Sequence, residues 1–251
     1  MNLTYEQRAA FQDRGYLVVR GMFSDVEMRD MIHWTDELQH WPETPGRHMM
    51  YFEQSLTAPP RRVLNRVENF VPFHDGMAHV VTNGKLRDAA SQLFGETALL
   101  FKEKINFKLP GAGGFEPHQD AQAGWNSFAK LFVTATVTID RTTVENGCLE
   151  MAQWRHRREL IGDLWRPLDA RQLNGLRFEP IPTEPGDVMF FDSYVPHRSS
   201  PNLTETPRRI LYITYNRASE GDHRDRYYLE KRQSFPPDCE REDGRVYEYR
   251  V

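Results

Sequence analysis

Cysteine is almost absent from this chain. Among 251 residues there are two, Cys148 and Cys239, and neither belongs to a CxxC pair. That excludes a disulfide scaffold and a zinc ribbon, and it suits a reducing cytoplasm. There is no run of about 18 apolar residues, so no membrane-spanning helix is expected. The first residues, MNLTYEQRAAF, have no basic region leading into an apolar stretch, so no secretory leader is expected. Neither sign of charge dominates. A net charge of -4 argues against a nucleic-acid coat or an anionic membrane surface as partner. Repeats, low-complexity tracts and linkers are also missing, so residues 1–251 are expected to form a single domain. The composition, 39% hydrophobic and 27% charged, excludes a disordered chain. A globular cytoplasmic enzyme or small-molecule binder remains.

The opening residues predict helix, strand, helix. Thr4 with Gln7 and Ser24 with Glu27 have capping-box spacing, and Gly15 is placed to end the first helix. Residues 16–20 (YLVVR) form a β-rich run. Met28, Met31, Trp34 and Leu38 then recur at helical spacing, as a core face would. Pro42, Pro45, Pro59 and Pro60 bracket a stretch that predicts a long loop. Residues 85–94 predict a third helix, stopped by Gly95. From residue 98 the period becomes two. Lys102, Lys104, Asn106 and Lys108 alternate with Phe101, Glu103, Ile105 and Phe107, and residues 131–139, 187–191 and 208–215 are further strands. Helices first and short strands after predict a mainly β sandwich or barrel with helices packed on one sheet. The tail from Gly221 to VYEYRV predicts a helix and an edge strand closing over the barrel.

Two of nine histidines stand out by context. His118 lies in GGFEPHQDAQAGW with Asp120 two residues on, and positions i and i+2 of an extended strand share a side. His197 follows an apolar strand and precedes a strand opening with Arg208 and Arg209. If those two strands pair antiparallel, an arginine comes close to His197. Two histidines and one carboxylate form the facial triad of non-haem Fe(II) oxygenases. The planar fork of an arginine suits a carboxylate anchor. Alternation lets only one of Arg208 and Arg209 face inward.

HxD, a distant His, and an Arg eleven residues further on resemble the phytanoyl-CoA dioxygenase-like family of Fe(II)- and 2-oxoglutarate-dependent oxygenases. HQDAQAGW resembles its first metal motif, ENGCLEM its NG-x-L strand, and PGDVMFFDSYVPHRSSPN its second metal motif. FQDRGYLVVRGMF resembles its opening helix and strand. AQWRH departs from the turn usual in that family, which leaves local loop geometry open. The resemblance implies a double-stranded β-helix (jelly-roll) holding Fe(II) through His118, Asp120 and His197. It implies that Arg208 holds the distal carboxylate of 2-oxoglutarate, with Asn106 contacting the co-substrate and Thr134 and Ser199 assisting. The two hydroxyls have a plainer alternative as inward groups satisfied by neighbours. O2 is the further co-substrate, and ascorbate an expected aid in vitro. Because Asp120 is present, the resemblance implies hydroxylation and not halogenation.

Lys102, Lys104 and Lys108 share a strand face, and Arg66 and Asn69 lie in RVENF. They are candidates for an anion pocket holding a phosphonate, phosphate or carboxylate, against the plain alternative of a solvated face. Gln119 and Trp125 are further candidate substrate contacts, Trp125 by stacking or by facing a cationic amine. HQDAQAGW, KEKINFKLPG and YYLEKRQSFPPD together are similar to the 2-aminoethylphosphonate-type hydroxylases of that family. This implies a small anionic substrate, an aminoalkylphosphonate such as 2-aminoethylphosphonate or its N-methylated form, hydroxylated beside phosphorus in phosphonate catabolism. The partner expected is that small molecule, with neither nucleic acid nor membrane, and a homodimer left open. Three alternatives remain: a hydroxylase of another small molecule, a zinc hydrolase and a non-catalytic binding jelly-roll. Neither of the last two would make succinate from 2-oxoglutarate.

Overall fold

The capping boxes start the helices where their spacing predicts. In this computed structural model, which describes residues 2–247, the Thr4 hydroxyl accepts from the Gln7 amide at 3.2 Å, and the Gln7 side chain accepts from the Thr4 amide at 2.8 Å. Helix α1 (Tyr5–Arg14) follows and stops at Gly15, whose φ is +78°. Any side chain there would also strike Val195 and His156. Strand β1 (Tyr16–Val19) leads to α2 (Asp25–Gln39), begun by the Ser24–Glu27 box. Met28, Met31 and Leu38 are buried, and Trp34 packs at the edge of the same core.

The proline-bracketed stretch is not one long loop. It contains β2 (Met49–Gln54), which pairs antiparallel with β3 (Arg62–Glu68) in a hairpin on the edge of the main sheet. The prolines flank the strand without entering it, as the missing amide requires. Helix α3 (Asp75–Thr82), also unexpected, starts where the His74 ring accepts from the Met77 amide. Helix α4 (Lys85–Phe94) has the predicted bounds, with Gly95 as its left-handed cap.

The remaining strands are β4 (Ala98–Lys108), β5 (Phe115–His118), β6 (Phe132–Thr138), β7 (Leu149–Gln153), β8 (Arg177–Pro180), β9 (Val188–Asp192), β10 (His197–Ser199) and β11 (Arg208–Arg217). Two antiparallel sheets result. The larger runs β1-β9-β6-β11-β4-β3-β2 and the smaller β5-β10-β7-β8. The expected pairing of β9 with β11 does not occur, because β6 lies between them. His197 is on β10, in the other sheet.

Period-two alternation sorts β11 into two faces. Leu211, Ile213 and Tyr215 pack with Met31, Met77, Val81 and Leu86 of the helices outside the main sheet. Ile210 and Tyr212 face inward with Met151, Met189 and Phe191. Helices therefore back one sheet, as expected, and the inner space between the sheets is left for chemistry. After β11, helix α5 (Arg224–Ser234) packs against β4. No strand follows α5 among the described residues; the end of the expected edge strand, residues 248–251, lies outside them. No described helix is long and apolar enough to cross a membrane.

Candidate functional site

Adjacent strands of the smaller sheet put two imidazoles side by side. His118 ends β5, His197 opens β10, and the two are register partners with ring centroids 4.4 Å apart. Asp120 is not on the strand with His118. It is the first residue of a 3-10 turn, Asp120–Ala123, and this turn brings its carboxylate back to the rings. Its Oδ1 lies 3.9 Å from His118 Nε2 and 4.0 Å from His197 Nε2, and all three donor atoms fall within 4.8 Å of one another.

Each histidine is fixed by its other nitrogen. His118 Nδ1 lies 2.7 Å from the Glu116 carbonyl and His197 Nδ1 3.0 Å from the Val195 carbonyl. A carbonyl can only accept, so both Nδ1 atoms carry a proton and both Nε2 atoms face the gap. Burial, helped by the neighbouring His197, pushes the His118 imidazole down to about 3, so it is neutral at pH 7. Burial alone would raise the Asp120 carboxyl, but the charges of His197 and Lys104 outweigh it and hold it below its usual range. Two imidazoles and one carboxylate are the donor set that suits Fe(II).

Arg208 opens β11 and points inward. It is fully buried, yet none of its guanidinium nitrogens has a hydrogen-bond partner among the described residues. A buried guanidinium without acceptors is costly unless a ligand supplies them, and a dicarboxylate fits that need. The buried Asn106 carboxamide oxygen is likewise unpartnered, and the Tyr212 hydroxyl comes up beside both groups. Arg209 faces the other way, donating to Asp140 at 2.8 and 3.0 Å and pairing with Asp36 of α2. Tertiary packing, not β9–β11 pairing, brings Arg208 to the site. It sits opposite Lys108 on β4, whose ammonium donates at 2.7 Å to Ser199, two residues beyond His197. Thr134 stands 3.4 Å from Asp120 and 3.0 Å from Thr214.

A cavity of about 500 Å³ opens from the triad. Lys102, Lys104 and Asn106 form one wall, with Phe115 and Tyr212 beside them. Trp125, Phe128 and Trp165 form another. Tyr227 and Lys231 of α5 and Tyr247 beyond it also line the cavity. The β4 lysines do not form a solvated face, since Lys102 and Lys108 are buried. Burial and the adjacent Lys102 push the Lys104 ammonium down to about 7, against the pull of Asp120. The Lys102 ammonium lies 5.1 Å over the Trp125 ring, so that ring faces a cation of the protein.

Four candidate substrate contacts stand elsewhere. Gln119 donates to the carbonyls of Glu159 and Tyr194 and accepts from the Ile161 amide, so its side chain ties loops together. Asn69 accepts from Arg224 at 2.9 Å and docks α5. Arg66 is buried behind the wall, 2.8 Å from Glu68 and over the Tyr51 ring. Lys108 belongs to the Arg208 end of the site. Each group is taken by partners within the protein, distant in sequence for Gln119, Asn69 and Lys108 and two residues away for Arg66. Two residues went unnoticed in the sequence. Tyr212 could have been found by alternation from Arg208, whereas Lys231 has no local signal.

Comparison with known proteins gives concordant matches. The family profile described as Phytanoyl-CoA dioxygenase (PhyH) matches residues 11–210. The chain is 41% identical over 249 residues to the 2-aminoethylphosphonate dioxygenase of an uncultured bacterium (HF130_AEPn_1), covering 97% of this chain and 93% of that one. It is also 41% identical over 234 residues to the methylphosphonate hydroxylase of Gimesia maris, covering 93% and 88%. Among solved structures, EctD from S. alaskensis with 2-oxoglutarate and 5-hydroxyectoine superposes with a TM-score of 0.70 at 21% identity, covering 87% and 77%. The epimerase SnoN in complex with Fe3+, alpha ketoglutarate and nogalamycin RO superposes with a TM-score of 0.70 at 19% identity, covering 98% and 94%. The two-sheet fold is thus the double-stranded β-helix.

Proposed function

The chain belongs to the phytanoyl-CoA dioxygenase family, and from that premise we propose that it hydroxylates a small phosphonate of the 2-aminoethylphosphonate type at the carbon next to phosphorus. It is an Fe(II)- and 2-oxoglutarate-dependent dioxygenase. His118, Asp120 and His197 would hold the iron, and Arg208 the distal carboxylate of 2-oxoglutarate, with Asn106, Tyr212, Thr134 and Ser199 around it. Iron and 2-oxoglutarate, when bound, would supply the oxidation together with O2, one oxygen atom entering the keto acid as it becomes succinate and CO2 and the other becoming the substrate's hydroxyl.

The residues of this chain do the rest. The two Nδ1–H···O=C bonds hold the imidazoles in one tautomer and one orientation. Lys102 and Lys104 would fix the phosphonate so that its neighbouring carbon faces the triad. Trp125, Phe128 and the α5 wall exclude water, which strengthens every charge interaction inside. We further propose that residues 1–251 work as one domain in the cytoplasm on a small-molecule substrate, with nucleic acid and membrane playing no part.

The observation carrying this reading is a basic wall on the metal-ligand cavity of a chain 41% identical to two phosphonate oxygenases. Phosphorus NMR tests it. Incubation with Fe(II), 2-oxoglutarate, ascorbate and 2-aminoethylphosphonate, its N-methylated forms or methylphosphonate should give a new phosphorus resonance and one succinate per product. Robust turnover of a non-phosphonate with no new resonance would leave only the oxygenase class standing.

A further inference from the structure

Trp165 is held in a backbone conformation that its side chain disfavours. Its φ is +64°, in the left-handed region that bulky residues rarely adopt. The residue is 45% exposed and lines the cavity at the triad. Such a conformation persists only where the surroundings over-determine it, and such positions cluster at active sites and ligand clamps.

The surroundings are the metal-ligand segment itself. The Trp165 amide donates to the Gln122 carbonyl at 2.8 Å. The Gln122 carboxamide donates at 2.7 Å to the carbonyls of Asp163 and Arg166, which flank the tryptophan. Further out, the Ile161 amide donates to the Gln119 side chain and the Leu168 amide to the Pro117 carbonyl, each at 2.8 Å. Residues 161–168 are thereby fastened to residues 117–122, which carry His118 and Asp120. The Trp165 ring lies against Gly124, where a β-carbon would come within 2.5 Å of it. Glycine at that position gives the ring its seat.

Around this cavity the fold sets rings against cations repeatedly. Lys102 lies 5.1 Å over Trp125, Lys104 5.0 Å over Tyr212 and Arg226 4.6 Å over Phe128. Trp165 brings an accessible indole to the same space, on the wall that Trp125 and Phe128 share and not on that of β4. With a phosphonate on Lys102 and Lys104, repulsion by those ammonium groups drives a cationic head toward that other wall.

We infer that Trp165 offers its ring to a cationic head of the substrate and sets a preference for aminoalkylphosphonates over plain alkylphosphonates. This rests on the proposed phosphonate chemistry of the site. Indole is the strongest cation–π partner among the side chains, and it accepts a quaternary ammonium, which has no N–H to donate. Trp165 is a specificity-determining residue and takes no part in the oxidation. Its attachment to the turn of Asp120 fixes the span between the head and the reacting carbon. Glu230, which also lines the cavity and pairs with Arg226 at 2.7 Å, is the competing partner for an ammonium.

The test reads binding without turnover. Trimethylammonioethylphosphonate, its neutral isostere 3,3-dimethylbutylphosphonate and methylphosphonate are titrated calorimetrically into protein loaded with Fe(II) and 2-oxoglutarate under nitrogen. Trp165→Leu should bind the ammonium compound about three- to thirty-fold more weakly than wild type. The neutral isostere should lose less, and methylphosphonate, iron content and 2-oxoglutarate affinity should not change. Trp165→Phe should keep most of the preference. Trp165→Gly removes the ring and relieves the backbone, so it carries the same expectation should Trp165→Leu disturb the loop. Equal losses for the ammonium compound and its isostere overturn the proposal, because they reduce Trp165 to an apolar wall. So does a preference lost in Glu230→Gln and kept in Trp165→Leu, or a wild type that binds the ammonium compound no better than the isostere. Ring-dependent ammonium binding without any new phosphorus resonance on turnover keeps the Trp165 assignment and overturns the hydroxylation reading. A new resonance with affinities unmoved in Trp165→Leu does the reverse.

Discussion

At the scale of single residues, the site consists of a few groups whose buried partners decide their state. His197→Ala leaves one imidazole and one carboxylate, a poor metal site. Iron content after anaerobic loading and desalting should fall from one per chain to a small fraction, and near wild-type iron would remove His197 from the ligand set. Arg208→Ala should weaken 2-oxoglutarate binding about ten- to a hundred-fold, equivalent to roughly 1.5–3 kcal/mol, with iron retained. Arg209→Ala should leave that affinity unchanged and lower stability instead, because Arg209 joins Asp140 to Asp36 across two elements. A larger 2-oxoglutarate defect in Arg209→Ala would reverse the face assignment.

Lys108 makes the same end of the site sensitive to pH. Burial, with Arg208 adding to it, pushes its ammonium down to about 6, so it is mostly neutral at pH 8 in the free protein. A carboxylate arriving at Arg208 favours the charged form and raises that value. Binding of 2-oxoglutarate should therefore take up protons above pH 6, and affinity should fall as pH rises. The calorimetric binding heat at pH 8 should depend on the ionisation heat of the buffer in wild type and not in Lys108→Met. A buffer-independent heat in wild type would show that Lys108 does not titrate with binding.

At the scale of elements, α5 is the one that commits the site to a shape. Two buried ion pairs hold it: Lys231 with Glu68 and Arg224 with Glu103, the latter at 2.7 Å. Glu103 is fully buried on β4, and burial pushes its carboxyl up against the pull of Arg224. Arg224→Ala strands that charge, and breaking such a pair costs roughly 3–5 kcal/mol. The urea midpoint should drop accordingly. The drop should be smaller at pH 5 than at pH 8, because a raised carboxyl recovers stability by taking a proton as pH falls. Since Tyr227 and Lys231 ride on the same helix, the substrate KM should rise as well. An equal drop at both pH values would mean that Glu103 stays ionised.

At the scale of the whole molecule, two sheets leave a polar interior that ligands complete. Arg208, Asn106 and the lysine wall all face inward from β4 and β11, and the Arg208 guanidinium and the Asn106 carboxamide oxygen have no hydrogen-bond partner among the described residues. Ligands that bind only the folded state raise its stability, by about 2.7 kcal/mol at a hundred times Kd. In a chain of this size that is a rise of roughly 5–10 °C in Tm. Fe(II) with 2-oxoglutarate under nitrogen should produce such a shift, and EDTA should reverse it. A Tm indifferent to both would mean that the triad and Arg208 are not a joint binding site.

What the sequence determined by itself is what local chemistry encodes. Capping boxes at Thr4 and Ser24, the stop at Gly15 and the helix over residues 85–94 depend on neighbours within a turn or two. Alternation along β11 separates Arg208 from Arg209 because a strand has only two faces. The HxD and distant His are legible as a motif, although a 3-10 turn, not a strand, carries Asp120. What only the tertiary structure decided is which partner each polar group finds. The hairpin of β2 and β3 has no clean period, and β6 enters between β9 and β11 from elsewhere in the chain. Arg66, Asn69, Gln119 and Lys108 looked alike in sequence as possible substrate contacts, and Lys231 did not stand out at all. Lys231 meets Glu68 across 163 residues and Arg224 meets Glu103 across 121. At such separations no local period carries the information. Burial makes an unpaired charge costly wherever it lies, so the assembled fold, not the neighbouring residues, settles which cations are neutralised and which are left for a ligand.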